Sequence, residues 1–138
     1  IADNVSTARI LLANFPEMDI KIREDWRNVK HGVKNPEYLI DETITDAKRI
    51  KKYTGIKNGF ADATTQGFEA IIIDLNKHMY GVDLNLVKLQ RRLEWRHADF
   101  ETGKIKKCYV VYKNKAILIT SVKDKLKLAK ELETLKKP

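Results

Sequence analysis

Between residues 35 and 48 the chain reads NPEYLIDETITDAK, and three of its side chains could do chemistry together: Glu37, Asp46 and Lys48. Residues 46 and 48 are two apart, so on a strand their side chains share one face. A hairpin turn near Glu42 would bring position 37 opposite the 46–48 segment, and two carboxylates and an ammonium would converge. Carboxylates that close repel unless a cation lies between them. A hard divalent ion, Mg²⁺ or Mn²⁺, takes oxygen ligands and keeps several waters, which makes Glu37 and Asp46 candidate metal ligands. Such an ion polarises a phosphoryl oxygen and lowers the pKa of a bound water. Lys48 would then orient that water or neutralise charge growing on phosphorus. The competing reading is a salt-bridged hairpin edge, its charges present for solubility.

The elements that would hold these residues can be read on either side. Val5, Ala8, Leu11, Leu12 and Phe15 recur at helical spacing over residues 5 to 15, and Pro16 ends the run. MDIKIR alternates apolar and charged residues, as a half-buried strand does. Residues 25 to 35, polar and containing His31 and Gly32, read as a loop. EYLID and TITDAK pair as a hairpin. KYTGIKNG reads as a loop, followed by a weak helical pattern from about Asn58 to Gln66. AIIIDL is uninterrupted apolar sequence, expected of a central strand covered on both faces.

Beyond a loop with Gly81, Asp83 is placed to cap a helix from about Leu84 to His97. Leu86, Leu89 and Leu93 would face inward, with Lys88, Arg92 and Arg96 forming a basic stripe. KKCYVVYK and AILIT read as two strands turning at Lys113 to Lys115. A last helix opens on Ser121 and Asp124 as a capping box and runs through Leu128, Leu132 and Leu135. The order is α-β-β-β-α-β, then α-β-β-α: one mixed α/β domain over residues 1 to 138.

Composition narrows the setting. A chain of 138 residues builds one core, and 43% apolar with 33% charged residues is a globular balance. No apolar run approaches the roughly 18 residues of a membrane helix, so no stable membrane association is expected. The N-terminus carries no signal-peptide pattern and begins at Ile1, which fits a processed product, a trimmed chain or a domain excised from a longer protein. Cys108 is the only cysteine; an intramolecular disulfide and Cys-based zinc sites are excluded, and a reducing cytoplasm suits the chain.

The net charge of +8 favours a polyanionic partner. From Ala47 to Lys57 there are five cations (Lys48, Arg49, Lys51, Lys52 and Lys57) and no acid, with Tyr53 among them. Arg49, Lys51, Lys52 and Lys57 are therefore candidate nucleic-acid contacts, and Tyr53 a candidate stacking residue. Five more lysines, again without an acid, fall between Gly103 and Lys115. The plainer reading of both runs is a pair of solvated basic loops. Asp74, ending IIID, reads as structural.

Pro36-Glu37 followed by Asp46-Ala47-Lys48 resembles the P-D…(D/E)-x-K signature of restriction-endonuclease-like nucleases. The α-β-β-β-α-β order of residues 5 to 75 matches the core topology of that superfamily. More narrowly, residues 35 to 120, through NPEYLID, DAK, AIIIDL and IKKCYVVYKNKAILIT, resemble the C-terminal toxin domains of contact-dependent growth inhibition proteins. Two features depart from the pattern: Glu stands at 37 for the usual Asp, and the turn is DET where relatives carry glycine.

The resemblance implies a restriction-endonuclease-like core followed by a helix, a β-hairpin and a C-terminal helix. It implies a metal-dependent nuclease with Glu37, Asp46 and Lys48 as its catalytic set, cleaving RNA, most of all tRNA. It further implies a toxin carried at the end of a secreted or surface-delivered protein, acting in the cytoplasm of a competing bacterium. An acidic immunity protein would protect the producer. Alternatives stay open: a DNase of the same fold; a metal-independent ribonuclease built on His31, His78 or His97; or a non-catalytic RNA-binding module.

Overall fold

The computed structural model describes residues 2–23, 37–76 and 83–138. Its centre is strand β4 (Ala70–Asp74), buried along its whole length, as its unbroken apolar sequence requires. Parallel neighbours flank it, β3 (Thr43–Arg49) on one side and β5 (Lys107–Tyr112) on the other. Beyond β3, strands β2 (Glu37–Ile40) and β1 (Ile20–Arg23) continue the sheet antiparallel; beyond β5, β6 (Lys115–Ile119) closes the other edge. Among the described residues the sheet has six strands, and their order in space is their order in the chain.

Five helices cover the sheet among those residues. Helix α1 (Ala2–Asn14) lies on one face, where Ala8 and Leu11 pack with Tyr38, Ile40, Ile72, Tyr109 and Val111. The opposite face carries α2 (Gly55–Thr65), α3 (Leu86–Glu94), α4 (His97–Glu101) and α5 (Lys125–Glu133), the last running into a 3₁₀ turn at Thr134–Lys136. There Ile56, Phe60, Leu89, Leu93, Phe100, Leu128 and Leu132 meet Ile71, Ile73, Cys108 and Val110. Strand alternation accounts for the division, since Ile71 and Ile73 point one way and Ile72 the other. The α/β class and the mixed sheet are as the sequence pattern predicts.

Several boundaries differ. Helix α2 begins at Gly55 and not near Asn58, because Gly55 and Gly59 hide a helix that packing supports. The cap of α3 is Asn85, whose side chain accepts from the Lys88 backbone N–H. Asp83 instead accepts from Leu84 N–H and pairs with Lys136 at 2.7 Å. The expected single helix to His97 is two, α3 and α4, with Trp95 and Arg96 between. Asp124 caps α5 through Lys127 N–H, while Ser121 accepts from Lys123 N–H and takes no part in a capping box. The expected loops at 25 to 35 and around Gly81, with His31 and His78, lie outside the described residues.

The hairpin that matters most turns on two residues. Ile40 pairs with Thr43, leaving Asp41 and Glu42 as the loop, both at positive φ (47° and 69°). That is the backbone of a type I′ turn, which twists with the strands it joins but normally selects Asn or Gly. Asp41 is fastened from outside: its N–H donates to Asp19 O at 2.8 Å and its carboxylate accepts from Asp19 N–H at 2.9 Å.

Candidate active site

Strand β3 sorts its side chains between two environments. Asp46 and Lys48 lie opposite Ile71 and Ile73 of β4, on the α2 side; Ala47 lies opposite Ile72, on the α1 side. Asp46 is only 3% exposed. The Lys48 Nζ sits 2.9 Å from Asp46 Oδ2 and also donates to Asp62 Oδ2, which α2 brings in from above. One ammonium thus joins two carboxylates from different elements.

Its charge state follows from these contacts. Burial pulls the Lys48 pKa down, but its hydrogen bonds to Asp62 and Asp46 outweigh that, and the net direction is upward from the ordinary 10.5. Lys48 is an ammonium at neutral pH, a charge donor and not a base.

Glycine lets α2 come this close. A Cβ built on Gly59 would lie 3.3 Å from Lys48 Cγ, tighter than ordinary contact. Gly55, Gly59 and Asp62 stand at i, i+4 and i+7, one stripe of the helix turned toward β3. Asp62 did not emerge from the sequence pattern as a site residue. The glycine pair at helical spacing, followed by an acid on the same stripe, is the signal that could have found it.

The cluster opens into a groove of about 520 Å³ at the carboxyl end of β3, walled by Lys48, Lys51, Lys52, Asn58, Gly59 and Asp62. Lys51 and Lys52 are exposed on its rim; Lys57 is exposed on α2, outside its wall. Arg49 projects to the opposite face, where it donates to Asn4 Oδ1 at 2.7 Å and lies 4.0 Å from Asp74. There Asp74 accepts from Thr7 Oγ1 and from Asn76 N–H, each at 2.9 Å, and Tyr38 OH donates to Asn4 O at 3.0 Å. These bonds fasten α1 to the sheet, a structural position for Asp74.

Glu37 belongs to β2, where its backbone pairs with Arg23. Carrying the Tyr38–Thr45 register one residue further sets the Glu37 backbone beside Asp46; its side chain lies outside the described residues. Tyr53 differs from expectation. It is buried, and its hydroxyl accepts from Asn85 N–H at 2.8 Å, so it pins α3 and presents no ring for stacking. His97 is exposed on α4 with Nδ1 3.6 Å from Glu101 Oε2.

Among the described residues no three His, Cys, Asp or Glu side chains gather as a metal cage. Mg²⁺ does not need one, because it commonly binds through one or two carboxylates and keeps its waters. Asp46 and Asp62 offer an all-oxygen pair already arranged around a positive charge, and the donor set fits a hard cation. Compared with family models, with curated proteins and with solved structures, the chain matches none of them.

Proposed function

We propose that the chain is a nuclease that hydrolyses phosphodiester bonds at Asp46, Lys48 and Asp62. The observation that carries this reading is the single ammonium held between two carboxylates at the head of a lysine-rimmed groove. A substrate strand would lie along the rim, with Lys51 and Lys52 neutralising its phosphates. Lys48, fixed by two anionic partners, would donate to a non-bridging oxygen and offset the charge that grows as phosphorus becomes five-coordinate. Asp46, with Asp62 and with Glu37 from the neighbouring strand, would hold a divalent cation. When bound, that cation would polarise the phosphoryl group and favour ionisation of the attacking water. The two carboxylates keep the lysine charged and aimed. A lysine alone in the same burial would lose its proton more readily.

RNA, and tRNA first among RNAs, is the substrate in this reading, with delivery as a toxin into the cytoplasm of a competing bacterium and protection of the producer by an acidic immunity protein. The support is the likeness of residues 35 to 120 to growth-inhibition toxin domains, together with the +8 charge. Among the described residues no helix is long and apolar enough to cross a membrane.

The test incubates the purified chain with total RNA and with plasmid DNA, each with Mg²⁺ or with chelator. Cleavage that needs the metal and disappears in Asp46→Ala and Lys48→Ala is the expected result. Full activity in chelator would remove the metal and favour a metal-independent ribonuclease. No cleavage of either polymer, even at high protein concentration, would leave a binding module.

A further inference from the structure

Helix α3 turns an unusual face outward. Leu89 and Leu93 are buried, which leaves Val87, Lys88, Arg91 and Trp95 on the solvent side. Val87 is 69% exposed and Trp95 52%. The indole offers a large apolar face to solvent, as the exposed Val87 does near the start of the same helix. The Arg92 guanidinium lies over the ring, 4.8 Å from its centroid. Glu94 is the only acid on the helix, against Lys88, Arg91 and Arg92, and its carboxylate accepts from the Gln90 amide at 2.9 Å. What remains is a flat aromatic surface in a field of positive charge.

Its place in the fold connects it to the groove. The first turn of α3 is pinned by the bond from Asn85 N–H to Tyr53 OH at 2.8 Å, and Tyr53 directly follows Lys51 and Lys52. The segment that carries the basic rim is thus tied to the start of α3 through the buried Tyr53 side chain. From there Lys88, Arg91 and Trp95 follow along the helix at three- and four-residue steps, one continuous stripe.

We infer that the outer face of α3 is a docking surface for single-stranded nucleic acid, with Trp95 as the stacking platform and Lys88 and Arg91 as phosphate contacts. An unpaired base offers a π-face that the indole can take without regard to sequence, and cations beside it follow the backbone. Arg92 completes the stack by a cation–π contact. A duplex hides its base faces and could use only the cations. An acidic protein would satisfy the same charges, and comparison with polyglutamate separates a response to charge alone from base stacking. The inference extends the nuclease reading by naming where the strand lies beyond the cut site and what form it takes, and rests on that reading for its biological sense.

The experiment measures binding of a short unstructured RNA to the Lys48→Ala chain, so that no strand is cut, by indole fluorescence and by anisotropy of the labelled RNA. Quenching is expected in this chain and not after a further Trp95→Phe change, which leaves Trp26 as the remaining indole. Trp95→Ala should weaken binding at least about fivefold, as the loss of one base stack does. Lys88→Ala with Arg91→Ala should weaken it and flatten its salt dependence. Unchanged affinity in Trp95→Ala overturns the inference, as does equal affinity for a duplex of the same length. Quenching by polyglutamate as strong as by RNA also overturns it, because the face would then be reading charge alone. Cleavage by the native chain is scored separately: cutting with Trp95 unquenched defeats the inference alone, and quenching without cutting defeats the nuclease reading alone.

Discussion

Lys48 holds two carboxylates at once, and the consequences of removing it differ from those of removing either acid. Lys48→Met leaves Asp46, almost fully buried, facing Asp62 with no shared cation. We expect a loss of about 2 kcal/mol of stability, below the range for fully buried pairs because Asp62 is partly exposed. Asp46→Ala should cost less, since Lys48 keeps Asp62; urea denaturation of the two variants measures the order, and the reverse order would contradict the shared ammonium. Both variants should lose at least about a hundredfold in cleavage rate, a typical loss for a group that stabilises transition-state charge. The pH dependence has a definite sign. The folded pKa of Lys48 lies above the ordinary 10.5, so its stabilisation is complete below 10.5 and fades as pH rises through the folded value. The stability gap between the native chain and Lys48→Met should be flat from pH 7 to 9 and close only in strong alkali. Asp46 and Lys48 were legible in the sequence because a strand's two-residue period is a property of the backbone alone. Asp62 was not, because its meeting with Lys48 depends on how near α2 comes to β3.

That approach belongs to the scale of elements. Gly59→Ala should cut activity by displacing Lys48, whereas Gly55→Ala, whose new Cβ would meet Ile50 at an ordinary 3.6 Å, should be accepted. Alanine's helix propensity should make Gly55→Ala more stable by up to about 1 kcal/mol. Thermal melts and cleavage rates on the two variants separate the effects; equal activity would mean that the Gly59 contact is dispensable. The turn between β2 and β3 gives another expectation. Glu42 carries a φ of 69° that an L-residue adopts with strain, so Glu42→Gly should stabilise the chain by about 0.5–1 kcal/mol. The same turn shows what a pattern can and cannot convey. The register was readable from alternation and loop length, but nothing in DET announces a type I′ backbone, which the Asp19 contacts impose from outside. Likewise β4 was legible from AIIID, while the start of α2 was masked by two glycines whose value lies in close packing. Tyr53 and Trp95 follow the same rule: a run of residues says that a ring is near cations, and only tertiary structure says which ring faces water.

For the whole molecule the governing quantity is charge. With a net +8, binding to RNA should weaken steeply with salt, and Lys51→Ala with Lys52→Ala should reduce the log–log slope by about 1.5 without changing the bond that is cut. An inhibitor that blocks the groove should be acidic and its association rate salt-sensitive, because long-range attraction steers the encounter. A quite different property follows from strand order. Among the described residues no strand is wedged between two that precede it, so the sheet can be dismantled from its borders. Beyond α1 and α5, traction on either end meets an antiparallel border, β1 on β2 or β6 on β5, and a pull across the strands would part it one rung at a time. Once α5 has been drawn off, the first rung to open at the β6 border is Ile119 against Cys108. The only thiol in the chain, sealed at rest, is thus bared at the first rung of the sheet to part from that side, and a directed pull on the C-terminal end should make it reactive while β4 is still covered.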